Sequence, residues 1–103
     1  VKIIIDDSNT IRLEDAEIFG KFKIVVPRTL LGSEHFARQM ASLGEVDEDG
    51  KHVWVYISQF LAIFGVDRSD SWHESFEKMI EIAAKYGFIN AERTAFRSHM
   101  DIL

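Results

Sequence analysis

SWHESFEKMIEIAAKYG, residues Ser71 to Gly87, is the stretch from which the fold is read. Ser71 and Glu74 stand three apart, the spacing of a capping box, in which serine and glutamate side chains satisfy each other's backbone N–H at a helix start. Asp70 and Glu74 also place negative charge at the positive end of the helix dipole. Trp72, Phe76, Met79, Ile80 and Ala83 recur at helical spacing and define one apolar face. Glu74, Glu77, Lys78, Glu81 and Lys85 fall largely on the other side. Glu74–Lys78 and Glu81–Lys85 stand four apart in the favourable order. Gly87 suits the left-handed turn that closes a helix. The stretch therefore predicts a scaffold helix with a buried apolar face, and nothing on it requires catalysis.

Upstream, Val1–Ile5 (VKIII) reads as a short strand ended by Asp6, Asp7, Ser8 and Asn9, and Thr10–Leu13 as a second. In Ile18–Val26, Phe22, Ile24 and Val26 alternate with Lys21, Lys23 and Val25, the period of a strand with one buried face. Gly20 marks a turn or bulge in it, and Pro27 ends it. These segments predict an N-terminal hairpin or meander. Ser33 caps a helix carrying Phe36, Ala37, Met40, Ala41 and Leu43, with Gly44 as its stop. Glu45–Gly50 (EVDEDG) is an acidic turn; the six residues after Gly50 hold no carboxylate, so the EF-hand pattern fails. His52–Val55 reads as strand and Tyr56–Phe64 as a short helix closed by Gly65. Phe88–Thr94 turns the chain back into Ala95–Leu103, where Phe96, Met100 and Ile102 alternate with Arg97, His99 and Asp101. That alternation predicts a final strand. The competing reading is a helix on Phe96, Met100 and Leu103.

The 103 residues fit one domain, 1–103, with a small core. Hydrophobic residues make up 47%, with eight Phe and two Trp, more aromatic content than a minimal core needs. That surplus predicts apolar surface covered by a partner, a second copy of the chain. A net charge of −5 argues against a phosphate-neutralising surface, and no nucleic-acid partner is expected. The helix–linker–helix–strand order of 56–103 resembles part of a winged helix only loosely, because Glu74, Glu77 and Glu81 oppose Lys78 and Lys85 on the would-be reading helix. With no cysteine there are no disulfides and no thiol chemistry. No apolar run approaches a membrane span or a leader peptide, and a cytoplasmic location is the expectation.

One constellation stands out. Arg97, His99 and Asp101 share a face if the tail is a strand, and such a row can hold an organic acid or run acid–base chemistry. A solvated strand face with an incidental ion pair explains the same pattern. The four histidines, His35, His52, His73 and His99, form no ligand-spaced pair, so no metal is expected. Arg28, Thr29, Gly32 and Ser33 precede a helix but lack any phosphate-loop pattern. No GxSxG elbow is present, and the carboxylate pairs Asp6-Asp7, Glu14-Asp15 and Asp47–Asp49 lie in expected turns. The aromatic set Trp54, Tyr56, Phe60, Phe64, Trp72 and Phe76 reads as core.

These readings combine into an α+β domain, a small and mostly antiparallel sheet with about three helices packed on it. Two function classes follow. The favoured one is a non-catalytic binding or assembly module, homodimeric through the aromatic-rich middle, with no cofactor. The alternative is a small enzyme or organic-acid binder, with His99 and Asp101 as catalytic candidates and Arg97, His99, Trp54 and Trp72 around the ligand.

Overall fold

The computed structural model describes residues 1–103. The chain folds as β1 (Lys2–Ile4), β2 (Arg12–Glu14), β3 (Lys23–Val26), α1 (Glu34–Ala41), β4 (Gly44–Val46), β5 (His52–Tyr56), α2 (Ile57–Phe64), α3 (Asp70–Lys85) and β6 (Ala95–Ile102). The six strands form one sheet in the order β2-β1-β3-β6-β5-β4. It is an α+β fold with three α-helices, and no helix is long and apolar enough to cross a membrane.

The sheet is mixed and not purely antiparallel. The pairs β1–β2, β4–β5 and β5–β6 are antiparallel, but β1–β3 and β3–β6 are parallel. The cause is the segment after β2. The antiparallel β2 ends opposite the start of β1, with Glu14 beside Lys2, and residues 15–22 then cross to the other side of β1, so β3 runs parallel to β1 beside it and a meander is never formed. The strand expected over Ile18–Val26 is accordingly shortened to Lys23–Val26. Ahead of it, Phe19 and Phe22 turn into the aromatic core, with ring centroids 5.6 Å from Trp72 and 4.7 Å from Phe96 respectively.

Helix α3 forms where its periodicity places it, but its start differs. Ser69, not Ser71, is the N-cap: its Oγ accepts the Trp72 N–H at 3.2 Å. Ser71 lies in the first turn, so no capping box with Glu74 exists. Neither Glu74–Lys78 nor Glu81–Lys85 is among the ion pairs formed. The C-terminal stop is as read. Gly87 has φ +78°, and the Phe88 N–H returns to the Ala83 carbonyl at 2.9 Å.

Helix α1 is capped by Ser33, whose Oγ accepts from Phe36 N–H at 3.1 Å. It ends at Ala41, and Gly44 opens β4 instead of closing the helix. The acidic stretch after Gly44 is thus partly strand. A tight turn joins β4 to β5, with Asp47 N–H donating to His52 O at 2.8 Å. The tail is a strand throughout, Ala95–Ile102.

Strand pairing puts Ile3, Ile24, Met100, Phe96, Val53 and Val55 on one face of the sheet. Phe36 and Met40 of α1, Phe60 of α2, and Trp72 and Phe76 of α3 cover that face in a single buried cluster. Phe60 is fully buried, with ring centroids 5.3 Å from Phe76, 6.2 Å from Trp72 and 5.9 Å from Phe96. Most of the aromatic surplus noted in the sequence therefore lies inside. The opposite face carries Lys2, Ile4, Lys23, Val25, His52, Trp54, Tyr56, Arg97, His99 and Asp101, none of them in the cluster. The molecule has two layers, with helices on one side of the sheet only.

Candidate functional site

The Arg97, His99, Asp101 row lies on this open face of β6, as strand alternation requires. Each member reaches sideways to a neighbouring element instead of along the row. The Arg97 guanidinium donates from Nη2 to Asp47 Oδ2 at 2.8 Å and to Asp49 Oδ2 at 2.9 Å. Asp101 accepts from Lys23 Nζ at 3.4 Å across the parallel β3–β6 pair. The His99 ring meets the His52 ring edge-on, with centroids 5.6 Å apart, because the two residues are register partners.

The hairpin turn completes the arrangement. Asp49 Oδ1 accepts the backbone N–H groups of Lys51 and His52, at 2.8 and 3.1 Å. Asp49 Oδ2 lies 2.6 Å from His52 Nδ1. A carboxylate that accepts this many hydrogen bonds is favoured in its charged form. The Lys51 N–H is the largest influence, with His52 adding to it, and together they hold the Asp49 carboxyl down at about 2. Tyr56, on the same face, is pushed the other way: loss of water raises its phenol first, and the Glu45 carboxylate adds to that.

The Asp49 shift has a stability consequence with a definite sign. A carboxyl held below its ordinary value of 3.8 favours the folded state at every pH above that value. The contribution is lost as pH falls through the interval from 3.8 to about 2. Acid titration of Asp49→Asn, followed by urea midpoints, is expected to show a shallower stability loss in that interval than the parent chain. Identical slopes would show that the carboxylate does not organise the turn.

Asp47, Asp49 and His52 each offer a ligand atom within 4.8 Å of the others. Arg97 already holds both carboxylates, so a cation would have to displace a guanidinium. The cluster is accordingly built as an ion-paired clasp between the β4–β5 turn and β6.

Of the residues expected around a ligand, Trp54 sits beside Arg97 on the open face as its register partner. Trp72 does not join them. It is buried in the helical layer, where its Nε1 donates to the Ala16 carbonyl at 2.8 Å. His99 borders a hollow of about 530 Å³ with Lys2, Lys21 and Lys23. Two of those lysines are already matched, Lys2 by Asp15 at 3.7 Å and Lys23 by Asp101 at 3.4 Å. Sequence reasoning passed over Asp47 and Asp49 as a solvated turn and read His52 as the start of the next strand. The Asp49-Gly50 turn dipeptide was the available signal, since a tight hairpin there brings His52 back onto Asp49. No protein-family model, no curated protein and no solved structure matches the chain.

Proposed function

We propose that the chain is a non-catalytic binding and assembly module, and that it pairs with a second copy of itself through the open face of the sheet. The observation that carries this reading is the uncovered parallel centre of the sheet. Parallel strands are ordinarily covered on both faces. Here β1, β3 and β6 are covered on one, and the other presents Ile4, Val25, Trp54 and Tyr56 only partly buried. Charges of both signs surround these side chains, as a two-fold self-complementary surface needs: Arg12, Lys2 and Lys23 against Glu14, Asp101 and Glu45.

The same geometry speaks against the enzyme and organic-acid alternative. Arg97 is held by two aspartates and Asp101 by a lysine, so neither is free for a substrate. A substrate acid would have to break existing charge pairs before gaining new ones.

Sedimentation equilibrium tests the proposal. The parent chain is expected to be a dimer. Trp54→Ser combined with Val25→Ser removes apolar surface at the middle of the face and is expected to weaken dimerisation at least about thirtyfold. Far-UV circular dichroism should stay unchanged, because neither side chain belongs to the core cluster. A parent chain that remains monomeric up to its solubility limit would sink the reading.

A further inference from the structure

A second surface lies in the helical layer, and strand pairing creates it. Along β6 the partner on one side changes. Phe96 bridges to Ile89, and the Arg97 N–H donates to the Phe88 carbonyl at 2.8 Å. From His99 onward, that side of β6 pairs with β3. Between the end of the Phe88 segment and the start of β3 the layer is open. The gap continues into a cleft of about 620 Å³ between the C-terminal half of α3 and the loop at 17–22. The rings of Phe22 and Phe96 line its depth, 4.7 Å apart and edge to face.

The rim has two features. The first is apolar exposure: Ile82 is 55%, Tyr86 71% and Phe88 46% exposed, all three lining the cleft. The second is charge. Lys21 enters from the loop and Lys78 from α3, and neither is in an ion pair. Two unpaired lysines thus border an apolar cleft on a chain whose net charge is −5, beside Arg97, which Asp47 and Asp49 hold. Glu17 is the one carboxylate lining it, and Ser75 adds a hydroxyl.

An apolar hollow of this size with a few polar groups at its mouth is the usual form of a small-molecule site. We infer that the cleft binds a small amphipathic monocarboxylate, a medium-chain or aryl-alkyl acid. Its apolar body lies against Phe22, Met79, Ile82 and Phe88, and its carboxylate meets the ammonium groups of Lys21 and Lys78. A neutral molecule of the same shape would bury the same apolar surface but leave both cations unmatched. Charge is therefore the determinant of selectivity. The cleft reaches the sheet at Phe96 and Arg97, but the apolar residues that would hold the ligand are not those of the proposed dimer face, so this inference does not depend on that reading.

Isothermal titration with decanoate and with decanol, at neutral pH and low salt, tests it. Decanoate is expected to bind about tenfold more tightly than decanol, because a charge-assisted contact is made only by the acid. Lys21→Gln with Lys78→Gln should abolish that preference and leave decanol affinity within about twofold, since the apolar contacts remain. Ile82→Ser, at a side chain already half exposed, should weaken both ligands. Trp54→Ser, at a side chain that does not line the cleft, should change neither. Decanoate binding no tighter than decanol, or retained in full by the double lysine variant, would overturn the anion assignment. Binding of neither ligand would overturn the cleft as a small-molecule site while leaving the dimer measurement untouched.

Discussion

Phe60→Ala is expected to be the most damaging truncation in the core, lowering stability by about 3–5 kcal/mol. The side chain is fully buried. Its ring lies within 6.2 Å, centroid to centroid, of Phe22, Phe64, Trp72, Phe76 and Phe96, which come from four parts of the chain. Removing the ring leaves a cavity walled by other rings. Those rings are fixed by α3, β6 and the loop ahead of β3, and they cannot all collapse inward together. A domain of this size has roughly 5–15 kcal/mol to lose. The thermal midpoint should therefore fall by about 15–30 °C. Phe64→Ala makes the internal comparison: its ring touches the same cluster from the exposed end of α2 and is only partly buried. If urea midpoints show the two truncations costing the same, Phe60 is not the point on which the layers converge.

This centre was half legible in the sequence. The periodicity of 71–87 placed Trp72 and Phe76 on one face, and the spacing of Tyr56–Phe64 placed Phe60 on a helix. Both signals are local, and both elements formed. The alternation of 95–103 was equally local, and β6 formed with Arg97, His99 and Asp101 on one face as read. What failed was the part that depends on distant residues. Lys21 and Phe22 alternate like strand, yet packing of Phe19 against Trp72 and of Phe22 against Phe60 and Phe96 outweighs two residues of weak strand preference. The cap moved from Ser71 to Ser69 because both serines precede an available N–H, and the docking of Trp72 decides between them. The parallel pairing of β3 with β6 joins residues about seventy-six apart, such as Lys23 and His99, and no spacing rule reaches that far.

The candidate site divides along the same line. That three polar residues share a face follows from the period of a strand. That Arg97 lies against Asp47, fifty positions earlier, follows from the order β6-β5-β4, which brings the hairpin turn over the end of the arginine. The row consequently changed character. Side chains that suggested a substrate clasp in the sequence are tied in the structure to neighbouring elements, Arg97 to the β4–β5 turn and Asp101 to β3. The half-buried apolar residues on the neighbouring strands of that face, Ile4, Val25, Trp54 and Tyr56, are the ones the proposed dimer would cover.

Gly44→Ala is expected to destabilise the β4 edge by at least about 3 kcal/mol, the upper part of the range for overpacking. A glycine after a run of helical residues reads as a helix stop, and a stop glycine is explained by positive φ. Gly44 is not in that region; the positive-φ glycines are Gly32, Gly50 and Gly87. Its constraint is proximity. A Cβ at Gly44 would land on the carbonyl oxygen of Trp54 and lie 2.9 Å from that carbonyl carbon and 3.0 Å from Val55 Cα. All three are backbone atoms of the partner strand, so no side-chain rotation relieves the overlap. β4 has to move off β5, and with it goes the turn in which Asp47 and Asp49 hold Arg97. The variant should therefore lose amide-exchange protection at Val46 and Asp47 together with stability. Gly20→Ala provides the contrast, since a Cβ there meets nothing within 4 Å; it should be neutral or gain up to about 1 kcal/mol from a stiffer unfolded chain. Equal urea midpoints for the two variants would mean that β4 does not press on the Trp54 backbone, and the clasp over Arg97 would lose its mechanical support.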